Sequence, residues 1–321
     1  MSIVESTKTN RIEKRILVTE ENGLEIEREF RVNTVNSHED FIPANKHANV
    51  YSLKTLGQNK VIEIPIRGIS YGEWEEIENK LHVTELSEES TEQEKEKQKI
   101  EKEKNVGLRR VKVFELATDK NVPGETDEDK VTWLSENISA AELDALFNCI
   151  IERGSNINDG IALNEYNSAL RNSKPVVSTF SGFDDWVSAS NLGSIFRMQR
   201  PFEDFIIEVN LRQVTDSRKK QIDEQSKAPP PPSRPKIDKS TGRQIGMLYD
   251  YNNPNYKAQT KIANRKSLVN IFEACLPFSL PGDSVDKKYK WISELLLGDV
   301  IKLRNFIENE VFNYRNRIDF F

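Results

Sequence analysis

"NVPGETDEDKVTWLSE", residues 121–136, is matched later in the chain by "SLPGDSVDKKYKWISE", residues 279–294, and this pairing decides how the sequence is read. At an offset of 158 residues (279 − 121) it aligns Pro123 with Pro281, Gly124 with Gly282, Lys130 with Lys288, Trp133 with Trp291 and Glu136 with Glu294. Phe114-Glu115 over Phe272-Glu273 extends the match upstream. An earlier block, "VIEIPIRGISYGEWEEIE" from Val61, lies over "IIEVNLRQVTDSRKKQID" from Ile206 at an offset of 145 (206 − 61), keeping Glu63/Glu208, Arg67/Arg212 and Ile77/Ile222 in register. The second copy therefore carries 13 more residues between its blocks (158 − 145). Two blocks in the same order with type-preserving substitutions argue for internal duplication.

Each copy has a physical reading. Alternation at Ile62, Ile64 and Ile66, and at Ile207, Val209 and Leu211, predicts a strand, after which Ser70 or Thr215 stands where a helix is capped. In the later block Pro and Gly make a turn, Thr126 or Ser284 supplies an N-cap, and Asp127, Glu128 and Asp129 complement the positive helix end. Trp133, Leu134, Ile138, Leu143, Leu146 and Ile150, like Trp291, Ile292, Leu296, Val300, Leu303 and Ile307, recur at helical spacing and predict core-facing stripes. The expected fold is α+β: two tandem small modules, each a short β element followed by a polar linker and a helical segment. The expected organisation is an amino-terminal β-hairpin extension at 1–50, module 1 at 51–153, an inter-module region at 154–195, module 2 at 196–310 and a carboxy-terminal tail at 311–321.

Composition narrows the function. The chain has 321 residues, 36% hydrophobic and 31% charged, which suits small units better than one large enzyme core. With 46 basic and 52 acidic residues and a net charge of −6, it has no basic stripe to neutralise a phosphate backbone, so nucleic acid is not expected as a partner. No run is long and apolar enough for a membrane span, and "MSIVESTKTNRIEKR" lacks the apolar core of a signal peptide; a soluble, cytosolic protein is expected. Cys149 and Cys275 sit in apolar helical patterns and read as buried thiols, while His38, His47 and His82 lack the spacing of a zinc site. "SNINDGIALNEY" puts Ser155, Ile157 and Tyr166 where a calcium loop needs carboxylates and other oxygen ligands. Neither a phosphate loop nor a G-x-S-x-G elbow occurs. No enzyme, cofactor or metal is expected.

The remaining segments read as connectors or contact surfaces. Thr84 to Lys104 has Glu/Lys pairs at i,i+3 and reads as an exposed charged helix or a tether. Ser226 to Tyr256 reads as a polyproline II linker followed by Tyr/Asn-rich local order, and Pro229, Pro232 and Arg234 satisfy a P-x-x-P-x-R docking pattern that a stiff spacer also generates. Asn22-Gly23 suits a tight turn in an amino-terminal hairpin, and the aromatic end "VFNYRNRIDFF" reads as folding back on its own module or as a docking peptide. The duplicated tryptophans read as packing anchors or stacking sites. Glu63/Arg67 and Glu208/Arg212 read as solvated charge, or as pairs reaching neighbouring strands or a partner. The candidate partner-binding residues are Arg67, Arg212, Trp133, Trp291, Tyr251, Tyr256, Pro229, Pro232 and Arg234.

A strand ending in Arg, a Glu-rich helix, a charged or proline-rich linker, "YDYNNPNYKAQTKIANRKSL" and "PGDSVDKKYKWISE" together resemble the tail assembly chaperones and related small tail proteins of tailed bacteriophages. The resemblance is carried by Ile207 to Ile222, Tyr251 to Arg265 and Pro281 to Glu294, with the matching blocks of the first copy. It implies a non-enzymatic, chaperone-like phage tail assembly protein of the host cytoplasm that binds other tail proteins such as the tape measure and the tail tube. Apolar faces of the two modules would bind helical partners while the linkers let them span one elongated target. The alternatives are a permanent structural component of the virion's tail or baseplate, and a cytosolic adaptor using the proline-rich segment.

Overall fold

The structure is a computed structural model that describes residues 9–18, 25–41, 48–54, 61–83, 91–155, 161–172, 194–199, 205–237 and 243–312. Its fold is α+β. The Asn22-Gly23 turn, His47, residues 84–90, the middle of the segment tested as a calcium loop and residues 313–321 lie outside the described residues.

The first half runs through strands β3 (Ala48–Lys54) and β4 (Val61–Arg67), then helices α1 (Tyr71–Lys80), α2 (Glu92–Thr118), α3 (Asp127–Asn137) and α4 (Ala140–Ser155). The second runs through β5 (Ser194–Met198), β6 (Phe205–Leu211), α6 (Asp216–Gln225), an inserted hairpin of β7 (Ser233–Ile237) and β8 (Gln244–Tyr249), and helices α7 (Pro254–Cys275), α8 (Val285–Glu294) and α9 (Leu297–Phe306). Hairpin for hairpin the registers coincide: Asn49 faces Ile66 where Ser194 faces Leu211, both at an offset of 145 (194 − 49 and 211 − 66). The boundaries expected at 50, 153 and 195 fall inside β3, α4 and β5, because pairing and helical hydrogen bonding run a few residues past the matched blocks.

Local chemistry explains the helix starts. Ser70 accepts from Glu73 N at 3.2 Å, Thr215 from Arg218 N at 3.3 Å, Thr126 from Asp129 N at 3.1 Å and Ser284 from Lys287 N at 3.3 Å. The Pro-Gly turns place Gly124 at φ 138° and Gly282 at φ 108°, backbone conformations in which a Cβ is strained. Each turn is tied down by the same knot. Glu115 accepts Val122 N at 3.2 Å and Lys130 Nζ at 2.7 Å, and Glu273 accepts Leu280 N at 2.8 Å and Lys288 Nζ at 2.7 Å.

The amino-terminal hairpin, β1 (Thr9–Val18) and β2 (Glu25–Val35), is part of the second half's sheet, not a separate extension. β2 pairs parallel to β6, giving the order β1-β2-β6-β5. One face packs on α6, α7, α8 and α9 through Val209, Leu211, Phe272, Ile292 and Leu303. The other is covered by α5 (Ile161–Asn172), where Leu163 and Tyr166 meet Phe30, Val32 and Ile206. Covered on both sides, β6 is buried at Ile206, Ile207, Glu208 and Val209 alike. Glu208 is only 3% exposed, which corrects its reading as solvated charge: Arg11 reaches it from β1 at 2.8 Å and Arg197 from β5 at 2.9 Å. The first half has its own core of Ile66, Ile69, Ile77, Val111, Phe114, Leu134 and Ile150.

The halves interlock. Ser70 and Leu296 form a β-bridge, Tyr71 N donates to Leu295 O at 2.9 Å and Leu297 N to Ile69 O at 3.1 Å. Expected linkers took other forms. Residues 92–104 are the solvated first half of α2, capped by Thr91. The stretch after the prolines is a β-hairpin, because Ile245, Met247 and Tyr249 alternate against a partner strand. The tail's described start folds back: Val311 is buried and Lys219 stacks over Phe312 at 5.8 Å. Among the described residues no helix is long and apolar enough to cross a membrane.

Candidate functional site

The surface that stands out is the β7–β8 arm with its connection into α7. The four prolines that follow α6, Pro229 to Pro232, have no backbone N–H to donate, and β7 begins at the first residue after them. Asp250 N donates to Pro232 O at 2.7 Å and closes the base of the hairpin. Asp250 Oδ1 then accepts Asn252 N at 3.1 Å, and Asn253 Oδ1 accepts Asn255 N at 3.0 Å and Tyr256 N at 3.2 Å, so that Pro254 enters α7 in its first turn. Tyr249, Tyr251 and Tyr256 step along this turn with ring centroids 6.2 and 6.1 Å apart.

Cross-strand register sorts the arm's side chains into two faces. Pro235 opposite Met247 and Ser233 opposite Tyr249 share one face; Arg234 opposite Leu248 and Lys236 opposite Gly246 share the other, and the register shifts beyond them, where Ile245 stands without a cross-strand partner. Ile245 is 61% exposed, Met247 42% and Tyr249 53%, and neither strand packs substantially on any other described element. Among the described residues this is an apolar, tyrosine-edged ribbon with little packing beyond its own two strands.

The structure distributes the nine residues singled out from sequence rather than gathering them. Tyr251, Tyr256, Pro229, Pro232 and Arg234 belong to the arm or its root. Arg234 lies in the β7 ladder and the Pro232 carbonyl is already bonded, so the P-x-x-P-x-R stretch lacks the free polyproline backbone that an aromatic groove binds. Arg67 is committed to Glu73 at 2.7 Å and to Gly68 O at 3.0 Å, beside the α1 cap. Arg212 is exposed and binds Pro277 O at 2.6 Å. The tryptophans part company. Trp291 is packed edge-on among Phe41, Phe278 and His38, whereas Trp133 is 36% exposed because Leu134 takes the inward position on α3, which corrects the expectation of a core-facing Trp133.

Sequence reasoning missed Glu75, Arg265 and Tyr289, which meet between the halves. Arg265 Nη2 lies 2.7 Å from Glu75 Oε2, Tyr289 Oη donates to the same oxygen at 2.7 Å, and the guanidinium sits 4.6 Å over the Tyr289 ring. Burial works against the Glu75 charge, but the bonds from Arg265 and Tyr289 outweigh it and hold the carboxyl below its ordinary value. Burial and the bond to Glu75 push the Tyr289 phenol upward. The alternating Ile-Gly-Met-Leu-Tyr of β8 was a readable signal for the arm; nothing local marks the Glu75 cluster.

Other features have less to offer chemically. A groove of about 630 Å³ between α1, α2 and α3 has Ile77, Leu81, Leu108 and Leu116 on its floor, and Lys104 and Lys112 at its rim are paired with Glu128 and Asp127. Cys275 is fully buried, and burial pushes its thiol up to about 12, far from a nucleophile's range. The Cys149 side chain lies outside the described residues.

No family model matches this chain, and no curated protein or solved structure matches it either.

Proposed function

We propose that this chain is a non-enzymatic assembly protein of tailed bacteriophages that binds other tail proteins, with the β7–β8 arm as its contact surface. The observation that carries the reading is the arm itself. An apolar ribbon with Ile245, Met247 and Tyr249 exposed runs directly into Tyr251 to Arg265, the stretch on which the resemblance to tail assembly chaperones rests most. An exposed two-stranded ribbon is marginally stable alone and gains stability by docking.

Internal duplication is part of this reading. It is supported by the matching hairpin registers, the twice-occurring Glu–Lys–amide knot and the paired caps. The interlocked halves replace the idea of two modules swinging on linkers: one body presents one arm, and partner binding does not draw on tethered avidity.

The test is a tagged pull-down from infected cells in mild salt, with a parallel search for the chain in purified particles. Recovery of a long helical protein or a tube subunit, with the chain missing from particles, is expected for the chaperone role. A fixed copy number in particles would make it a permanent tail or baseplate component, and recovery of host proteins alone would sink both.

A further inference from the structure

The whole-chain balance of −6 averages away a local excess of the opposite sign. Between Gln225 and Phe272 the sequence holds nine basic residues (Lys227, Arg234, Lys236, Lys239, Arg243, Lys257, Lys261, Arg265 and Lys266) and two acidic ones, Asp238 and Asp250. Among them Arg265 is bonded to Glu75, and Lys236 and Arg243 also have contacts of their own. The excess brackets the arm: Arg234 and Lys236 are on β7, Arg243 immediately precedes β8, and Lys257 and Lys261 lie on the first turns of α7.

The arm also has one open edge. Asp250 N points inward to Pro232 O, so by the antiparallel alternation Tyr249 and Met247 turn their backbone N–H and C=O groups outward, up to the register shift beyond Gly246. The β7 edge is blunted by Pro235, which has no N–H to offer, whereas β8 contains no proline. Gly246, opposite Lys236, has nothing within 4 Å of where a Cβ would be, so the basic face is open above β8.

We propose that the outward edge of β8 is a docking site for an extended, acidic, amphipathic protein segment, which adds to the arm as a third strand. Its apolar side chains lie beside Ile245, Met247 and Tyr249, and its carboxylates lie on the face of Arg234 and Lys236. Charge complementarity sets the sign of the partner and the alternating faces set its period. A single-stranded nucleic acid would also answer the positive charge, and Tyr249 offers one ring on which a base could stack, but its neighbours Met247, Pro235 and Ile245 are aliphatic, so the ribbon matches the alternating apolar side chains of a strand better than a run of stacked bases. The inference rests on the reading of the chain as a protein-binding assembly factor and adds the chemistry and mode of the contact.

The full chain is titrated with a labelled peptide alternating glutamate and valine, its lysine-valine counterpart and a labelled single-stranded oligonucleotide. Binding of the first alone, weakening as salt rises, is expected. Ile245→Glu with Met247→Glu, and separately Arg234→Glu with Lys236→Glu, should each cut that affinity by roughly tenfold or more, with the thermal transition of the body little changed because the arm packs substantially on no other described element. Val106→Glu, on the solvated face of α2, should leave binding unaltered. Absence of binding, equal binding of both peptides, preference for the oligonucleotide, or indifference to both paired substitutions overturns the inference. If the peptide binds but the pull-down yields no tail protein, the phage reading falls and the docking edge stands. If tail proteins are recovered equally well with the arm variants, the docking edge falls and the assembly reading stands.

Discussion

Glu75 on α1 and Arg265 on α7 are 190 residues apart in the chain and 2.7 Å apart in the fold, with Tyr289 bonded to the same carboxylate oxygen. At the offset of 158 the positions of Arg265 and Tyr289 correspond to Gly107 and Val131, where a Cβ on Gly107 would lie 2.7 Å from Val131 Cγ1. The two matched positions make the helix contact differently: one by close approach of α2 and α3, the other by an Arg-on-Tyr stack of α7 and α8 that also reaches Glu75.

Glu75→Ala should therefore cost about 1 to 3 kcal/mol, since it leaves Tyr289 Oη and a half-buried guanidinium without their acceptor. Chemical denaturation of Glu75→Ala, Arg265→Ala and the double variant reads the coupling. A coupling energy below about 0.3 kcal/mol would mean that the pair does not join the halves.

The second prediction concerns acid. Burial alone would raise the Glu13 carboxyl, but hydrogen bonds from Tyr166, Arg11 and Arg15 hold it at about 2, against 4.5 ordinarily. A depressed folded-state value contributes stability that is present above pH 4.5 and is lost as pH falls from there toward 2. Urea midpoints of the natural chain and Glu13→Gln should differ most at neutral pH and converge toward pH 2; a constant difference across that window would refute the assignment.

At the junction of the halves, a Cβ on Gly72 would lie 2.9 Å from Ser293 Cβ and 3.0 Å from Ser293 O. Ala is the better helix former, so an exposed α1 would gain from Gly72→Ala; here overpacking against backbone should reverse the sign, by about 1 to 2 kcal/mol. A raised melting temperature would show that α1 and α8 are not in contact in solution.

Gly124→Ala and Gly282→Ala each place a side chain at positive φ, with the added Cβ 2.7 Å from Lys130 N and 2.6 Å from Lys287 Cβ respectively. Each should destabilise by about 1 to 3 kcal/mol, and by similar amounts, since the turns share one knot. A neutral result in either turn would separate the two in solution.

Hydrogen exchange should find the amides of Gly246 and Leu248 opening far more readily than those of Leu268 and Phe272 on α7, because a two-stranded ribbon has little burial to protect it. The glutamate-valine peptide should slow exchange at Met247 and Tyr249, whose amides turn outward. Equal protection of arm and α7 without peptide would contradict a solvated arm.

What the sequence determined by itself is local. The strand-to-helix steps at Ser70 and Thr215, the caps at Thr126 and Ser284 and the Pro-Gly turns were legible because each depends on residues a few positions apart, whose side chains bond their own backbone or set its φ. The tertiary structure decided everything in which strands and helices choose distant neighbours. It placed the amino-terminal hairpin beside β6 and buried Glu208 between Arg11 and Arg197. It exposed Trp133 while packing Trp291, and it brought Glu75 to Arg265. Alternation and helical spacing state which face of an element is apolar; they do not state what will cover that face, because the choice depends on shape and charge matching between surfaces that only folding brings together.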